Sequence, residues 1–326
     1  MTAPAPPPRR TGLARRALPL LCAAALPAAA QPAPIRLIAP FPPGGSVDTI
    51  ARLLAPGLQE RLGQPVFVEN RSGAAGAIGT LAAARAAPDG LTWLFAFDSH
   101  ATVNAINPDA GFNAVRDFTP VMLVATAPMI LATPSGRPWD DLAALLAAAR
   151  VAPERITFGT VGNGSLAHLL MEEVQLRTGT KLVHVPYRGG GPLSAAAVAG
   201  EIDLAVASRA GLAGQLGGRL RGLAQSGASR SPGLPDLPTL SEAGISGLEA
   251  EAFWGVLGPA GVSAMQVARM QAGLAATLAE PTIRRRLSEA QGVDIVASSP
   301  AEFALFLAAQ TARWTALIRA RGIRAE

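Results

Sequence analysis

Ser165 follows a glycine and stands three residues before His168, which is the nearest this chain comes to a nucleophile beside a base. The pattern stops short of a nucleophile elbow, because Ala167 occupies the last position of G-x-S-x-G. A helix N-cap is the simpler role for Ser165, with ligand contact beside it. His100, His168 and His184 show no metal-ligand spacing, so neither a metal nor a cofactor is expected. His184 lies in a β-rich run and reads as a satisfied structural residue. The only cysteine, Cys22, sits in an N-terminal apolar run behind Leu21, where a lipid attachment would usually want a small residue. Without that run the chain has no cysteine and hence no thiolate chemistry and no disulfide.

Phosphate chemistry is also poorly supported. Gly73, Gly76 and Gly79 are spaced G-x-x-G-x-x-G, not as in a dinucleotide fingerprint, and read as close helix packing. Gly162-Asn163-Gly164-Ser165 lacks the Lys-Ser/Thr ending of a phosphate loop, and Lys181 is the only lysine. What remains is recognition rather than covalent change. Asp48 either favours the start of its helix electrostatically or accepts an amine or hydroxyl of a ligand. Arg188, after the only tyrosine, Tyr187, is placed to pair with a carboxylate at a cleft.

These residues depend on two similar strand–turn–helix elements. Residues 34–52 read PIRLIAPFPPGGSVDTIAR: an apolar strand, a Pro/Gly turn and an amphipathic helix. Residues 156–170 read ITFGTVGNGSLAHLL, a second β-rich run and Gly-rich turn before a helix opening near Ser165. The first amides of a helix have no partner within it, the helix dipole adds positive character there, and glycine permits close approach. Two such loops facing across a cleft would hold a small carboxylate.

The intervening pattern predicts a helix over 47–62 stopped by Gly63, strands at 65–70 and 91–97, and a small-residue helix ending near Ala87. That β-α-β-α-β order implies a parallel sheet with its ligand at the strand carboxyl ends, near Gly44-Gly45 and Asp98-Ser99-His100. Residues 119–132 read as two strands interrupted at Ala127-Pro128, a crossing between lobes. A second α/β series follows, with helices at 140–150, 166–178 and 191–199 and strands at 156–159, 181–185 and 202–207. A strand at 253–257 then returns to the first lobe, followed by helices at 263–279, 282–290 and 300–319.

At 326 residues and 49% hydrophobic, the chain is long enough for two lobes. Its net charge of +5 is concentrated at the N-terminus: of 28 basic residues, Arg9, Arg10, Arg15 and Arg16 precede residue 30, leaving 24 against 23 acids. With aromatics at 5%, neither a basic face nor a stacking platform for nucleic acid is present. Residues 1–30 read as a secretory signal peptide ending Ala28-Ala29-Ala30, which implies a periplasmic protein. Its apolar run is too short to span a bilayer, so no membrane span is expected in the mature chain. Arg9-Arg10 fits a twin-arginine signal only loosely, which leaves the Sec and Tat routes both open.

Taken in order, PIRLIAPFPPGGSVDTIAR, GQPVFVENRSGAAGAIGT, PDG, DFTPV, GNGSLAHL, HVPYRGGGP and PDLPTLSEAG make the chain resemble the Bug family, the periplasmic solute receptors of tripartite tricarboxylate transporters. The resemblance implies an α/β chain of the type II periplasmic-binding-protein fold, with two α/β lobes around a ligand cleft. Lobe 1 would comprise 31–128 with 250–326, and lobe 2 would comprise 129–249. It implies a monomer that delivers a small carboxylate to membrane permease subunits. Phe41, Pro43, Gly44, Gly45, Ser46 and Asp48 would form one side of the site, with Ser99 beside them. Thr160, Gly162, Asn163, Gly164, Ser165, His168, Tyr187 and Arg188 would form the other, the grip coming largely from backbone amides and ordered water. The chain departs from the family at LSAAAVAG after PYRGGGP, at AVASRAG after Leu204, and at Asp98, an acid that would disfavour a second ligand carboxylate nearby. An exported α/β hydrolase using Ser165 and His168, or a receptor of this fold serving signalling, are the competing readings.

Overall fold

In the computed structural model the described residues are 1–6, 32–212 and 214–323. The chain divides into two compact units, Met1–Gln31 and Pro32–Glu326, and the account below concerns the second. The signal-peptide reading falls largely on residues 7–31, outside the described residues.

Strand β1 (Ile35–Ala39) leads into α1 (Ser46–Leu62), which Gly63 ends in a left-handed cap, as the sequence predicts. Then come β2 (Val66–Asn70), α2 (Ala77–Ala84), β3 (Thr92–Phe97), the short α3 (Val103–Ile106) and β4 (Phe118–Pro134). The next series is α4 (Leu142–Val151), β5 (Thr157–Thr160), α5 (Leu166–Thr178), β6 (Val183–Pro186), α6 (Gly190–Ala199), β7 (Leu204–Ser208), α7 (Arg209–Leu212) and β8 (Leu220–Gln225). The chain closes with β9 (Glu251–Pro259), α8 (Ala264–Ala279), α9 (Pro281–Arg285), β10 (Asp294–Ile295) and α10 (Pro300–Arg321). No helix among the described residues is long and apolar enough to cross a membrane.

The strands run in the order β2-β1-β3-β9-β4-β7-β5-β6, with β8 and β10 also on β4. β1 pairs in parallel with β2 and β3, and β5 with β6 and β7, as right-handed crossovers through packed helices require. Residues 119–132 form one strand rather than two. β4 keeps its direction while changing partners: Phe118–Pro128 ladders on β9, and from Met129 onward the ladder passes to β7 and β8. Two register shifts against β9 add local bend without breaking the strand.

The other departures are local. The small-residue helix begins only at Ala77, after a left-handed turn, and ends at Ala84. β8 (LRGLAQ) escapes a periodicity reading because Arg221 and Gly222 interrupt its apolar alternation. The predicted helix over 282–290 is α9 followed by a wider π turn at Arg286–Ala290. Gly79 packs as expected: a Cβ there would lie 2.6 Å from the Arg71 carbonyl and 2.8 Å from Pro40 Cα.

Candidate functional site

All the loops that the sequence marks lie at the carboxyl ends of parallel strands. After β1, the chain turns through Gly44 at φ +84° and enters α1 from Gly45, whose N-cap carries no side-chain bond. Asp48 holds this turn from beneath. One carboxylate oxygen accepts the Gly44 amide at 3.0 Å, and the other accepts Arg52 Nε at 2.8 Å and Asn70 Nδ2 at 2.9 Å. Burial alone would raise its pKa, but the Gly44, Asn70 and Arg52 contacts outweigh it and hold the acid below its ordinary value. At 5% exposure and with both oxygens engaged, Asp48 braces the loop.

The second loop is braced in the same way. Ser165 caps α5 by accepting the His168 amide at 3.3 Å, and its side chain is buried. The His168 ring faces elsewhere: Nδ1 accepts the Gly164 amide at 3.1 Å, and Nε2 lies 3.6 Å from Glu172. Ring on ring, His168 stacks against His184 with centroids 3.9 Å apart, and His184 stacks on Phe158. Burial and the neighbouring His168 push His184 down to about 3, so it stays neutral with Nε2 2.7 Å from Thr160 Oγ1. Thr160 is wholly buried and also bonds both the amide and the carbonyl of Gly162. Thr160, Ser165 and His168 therefore shape the loop from behind, and none of them lines the cavities described below. A buried serine whose neighbouring imidazole is already committed does not form a nucleophile–base pair.

A third helix start joins these two. β6 ends at Pro186, Tyr187 donates its amide to Thr160 O at 2.9 Å, and Gly189 at φ +113° turns the chain into α6. A Cβ on Gly45 would lie 4.0 Å from the Gly190 amide, so the starts of α1 and α6 nearly touch. Between them is a cavity of about 30 Å³, walled by Pro43, Gly45, Ser46, Ala167, Gly190 and Ser208 under the rings of Phe41 and Phe97. Among the described residues, the amides of Ser46 and Val47 on α1, Ala167 on α5, and Gly190 and Gly191 on α6 have no hydrogen-bond partner. Three helix dipoles thus point their positive ends at a space that would hold one carboxylate or a water or two.

Phe41, Pro42 and Val161 also line a wider cleft of about 720 Å³. Of the residues the sequence singled out, Ser99, Gly162, Asn163, Gly164, Tyr187 and Arg188 stand together in its wall. Gly44 lies on a separate groove beyond the α1–α6 contact. One whole side of the cleft went unpredicted, namely the turn Ser72–Gly76, Ile78, and the Thr102–Asn107 segment around α3. Gly73, Ala74, Ala75 and Gly76 all have positive φ, from +47° to +131°, and the two alanines carry the strain that such functional turns store. Thr102 Oγ1 donates to Gly164 O at 2.9 Å, and Ile106 covers Gly164 so tightly that a Cβ there would sit 2.5 Å from Ile106 Cδ1.

Asp98 stands next to Ser99 but is withdrawn from solvent. It is 2% exposed, neither carboxyl oxygen has a partner, and burial holds it well above the usual carboxylate range. Burial thus favours the uncharged form of Asp98, and its side chain lines neither cavity. His100 is equally buried: its Nε2 donates to Ala114 O at 2.7 Å, and burial pushes its pKa down to about 4. Among the described residues no cluster of His, Cys, Asp and Glu could hold a metal.

Comparison with known proteins bears on this arrangement. The profile of the tripartite tricarboxylate transporter family receptor matches residues 50–323. Protein BugT of Bordetella pertussis is 35% identical over 294 residues, covering 89% of this chain and 90% of that protein. A solved structure described as a periplasmic transporter is 34% identical, with a TM-score of 0.86 over 90% of this chain and 98% of its own. Rpa4515 of R. palustris, solved with adipate, is 31% identical, with a TM-score of 0.86 over 90% and 99% of the two chains. The fold expected from the sequence is thus the one observed.

Proposed function

The chain belongs to the tripartite tricarboxylate transporter receptor family and is a solute-binding receptor, not an enzyme; from that premise we propose that it binds a small organic carboxylate in the cleft between two lobes. The convergence of three helix N-termini, with open amides, on one small cavity supports this reading best. One carboxylate enters the inner cavity and takes bonds from the α1 and α6 amides, directly or through water. The body of the acid occupies the wider cleft, in contact with Phe41, Ser99, Asn163, Tyr187 and Arg188.

Residues 31–128 with 250–326 form one lobe and 129–249 the other, joined where β4 changes partners at Pro128–Met129. Closure brings Pro42 against Gly189 and Thr102 against Gly164, and presents a single surface to the permease subunits. The protein acts as a monomer in the periplasm, after removal of residues 1–30. The Rpa4515–adipate structure supports the ligand class by likeness.

Thermal unfolding of the chain from Gln31 onward, against carboxylates and their amides, tests the reading. Acid at about a hundred times its dissociation constant adds roughly 2.7 kcal/mol and raises Tm by several degrees, while the amide does not. Equal shifts with acid and amide, or no shift with any acid in folded, ligand-free protein, would refute it.

A further inference from the structure

The junction at Pro128–Met129 is flanked by strands on both edges of β4. Thr126 pairs with Phe253 of β9 on one edge and Asp294 of β10 on the other, and Ile130 likewise stands between Ala207 of β7 and Gln225 of β8. The Ala250 amide donates to Ser226 O, which sets β8 and β9 end to end on one edge and leaves β7 and β10 on the other. In that register Arg209, the residue after β7, and Gly292, two before Asp294, meet level with Pro128, which has no amide to hold either of them. A side-chain contact takes the place of the missing ladder. A Cβ on Gly292 would lie 2.5 Å from Arg209 Nε and 2.8 Å from its Cγ, and a Cβ on Gly233 would fall on the guanidinium itself. The arginine is thus threaded between two glycines, with Nη1 donating to the hydroxyl of the buried Ser231 at 3.3 Å. Burial lowers its pKa and Asp294 raises it, so the β10 carboxylate offsets part of the cost of enclosing the charge.

Resting on the two lobes and the carboxylate cleft proposed above, we propose that Arg209 is a positioning residue for ligand binding, a clasp that joins the end of β7 to the start of β10 only when the lobes are closed. Ser231 and Gly233 belong to the same lobe as Arg209, and Gly292 to the other. Rotation about Pro128–Met129 therefore slides the arginine stem off Gly292 and leaves the guanidinium in its seat. A contact made in the closed state alone favours closure by what it is worth. Arg209 lines neither the inner cavity nor the wider cleft, but Ser208 beside it walls the inner cavity, so closure there is felt as affinity. The clasp acts alike on every acid that the cleft takes.

The chain from Gln31 onward has no cysteine, which allows the contact to be locked. With Arg209 Cγ 2.8 Å from a Cβ on Gly292, the two Cβ atoms stand at most about 4.3 Å apart, one carbon–carbon bond further, within the span of a disulfide. Uptake and release of radiolabelled adipate, the acid of the Rpa4515 structure, are followed by rapid filtration on the wild type, Arg209→Ala and the double variant Arg209→Cys/Gly292→Cys. Where adipate gives no thermal shift, the carboxylate with the largest shift replaces it. Oxidised before loading, the double variant should take up acid at least about tenfold more slowly than when reduced, and oxidised after loading it should release acid more slowly by a similar factor. Dithiothreitol should abolish both effects. Arg209→Ala should bind about tenfold more weakly, through faster release and by the same factor for any two acids. A folded double variant that does not cross-link, equal exchange rates in its oxidised and reduced forms, or wild-type affinity in Arg209→Ala overturns the clasp while the receptor reading stands. Failure of every acid to bind the wild type overturns the two together.

Discussion

Gly164→Ala separates the demands of closure from those of folding. Gly164 has φ +68°, so alanine there carries left-handed strain of about 1 kcal/mol in every state of the protein. The new methyl would also overlap Ile106, 2.5 Å from Cδ1 and 3.1 Å from Cγ2, and this contact exists only where the two walls of the cleft meet. Overpacking of that kind costs about 1–3 kcal/mol. If the walls part to relieve it, the cost appears in binding, as a loss of about 5- to 150-fold in affinity. Unfolding in denaturant should then report only the smaller backbone term, while calorimetry with an acid chosen by thermal shift reports the larger one. Ile106→Ala removes every atom in the overlap, so the double variant should bind like Ile106→Ala alone within about 0.5 kcal/mol. Wild-type affinity in Gly164→Ala, or a deficit that persists in the double variant, would refute the reasoning.

Asp48→Ala should cost about 1–3 kcal/mol in chemical unfolding, because it leaves the Gly44 amide without its acceptor and takes the carboxylate from Asn70 and Arg52, which keep other partners; a cost below about 0.5 kcal/mol would mean that the carboxylate does not brace the loop. The buried imidazoles predict acid sensitivity. His100 and His184 have folded pKa values near 4 and 3, below the unfolded value, so the unfolded chain binds more protons in between and their contribution, complete above about pH 6.5, is lost as pH falls. Asp98 acts in the opposite sense: with a raised folded pKa, its contribution is full below the unfolded carboxylate value and lost as pH rises through the folded one. Asp98→Asn should therefore stabilise the protein at neutral pH. In that background, stability should fall between about pH 6 and 4.5 by up to about 1.4 kcal/mol per pH unit for His100 and less for the partly solvated His184; a flat profile there would contradict both assignments.

The positions of the loops were legible because their signals are local. Pro42-Pro43-Gly44-Gly45 ahead of an amphipathic run, and Ser165 ahead of another, specify helix starts whatever surrounds them. Which polar residue faces the ligand was less legible. Asp48, Thr160 and His168 belong to the loops beside the cavities, but their side chains hold loop amides in place, and composition does not distinguish a brace from a contact. The wall from Ser72 to Gly76 was read as helix packing. Gly76 and Gly79 do pack, yet Ala74 and Ala75 adopt left-handed backbone that no alanine advertises. Pro128 suggested a break between strands, when in β4 it marks an exchange of partners within one strand.

That exchange has a consequence for how the chain is made. Every strand that pairs around the C-terminal part of β4 is complete by Gln225, whereas β3 and the N-terminal part of β4 are joined only through β9, residues 251–259. During synthesis the later-encoded half of the sheet can close first, and the first-encoded half must wait with two bare edges. Pairings so distant in sequence are slow to form, and unpaired edges recruit neighbouring chains. A nascent or truncated chain ending before Glu251 is therefore the aggregation-prone species of this protein, and one extending past Pro259 can join the two halves, leaving only the short β10 to add.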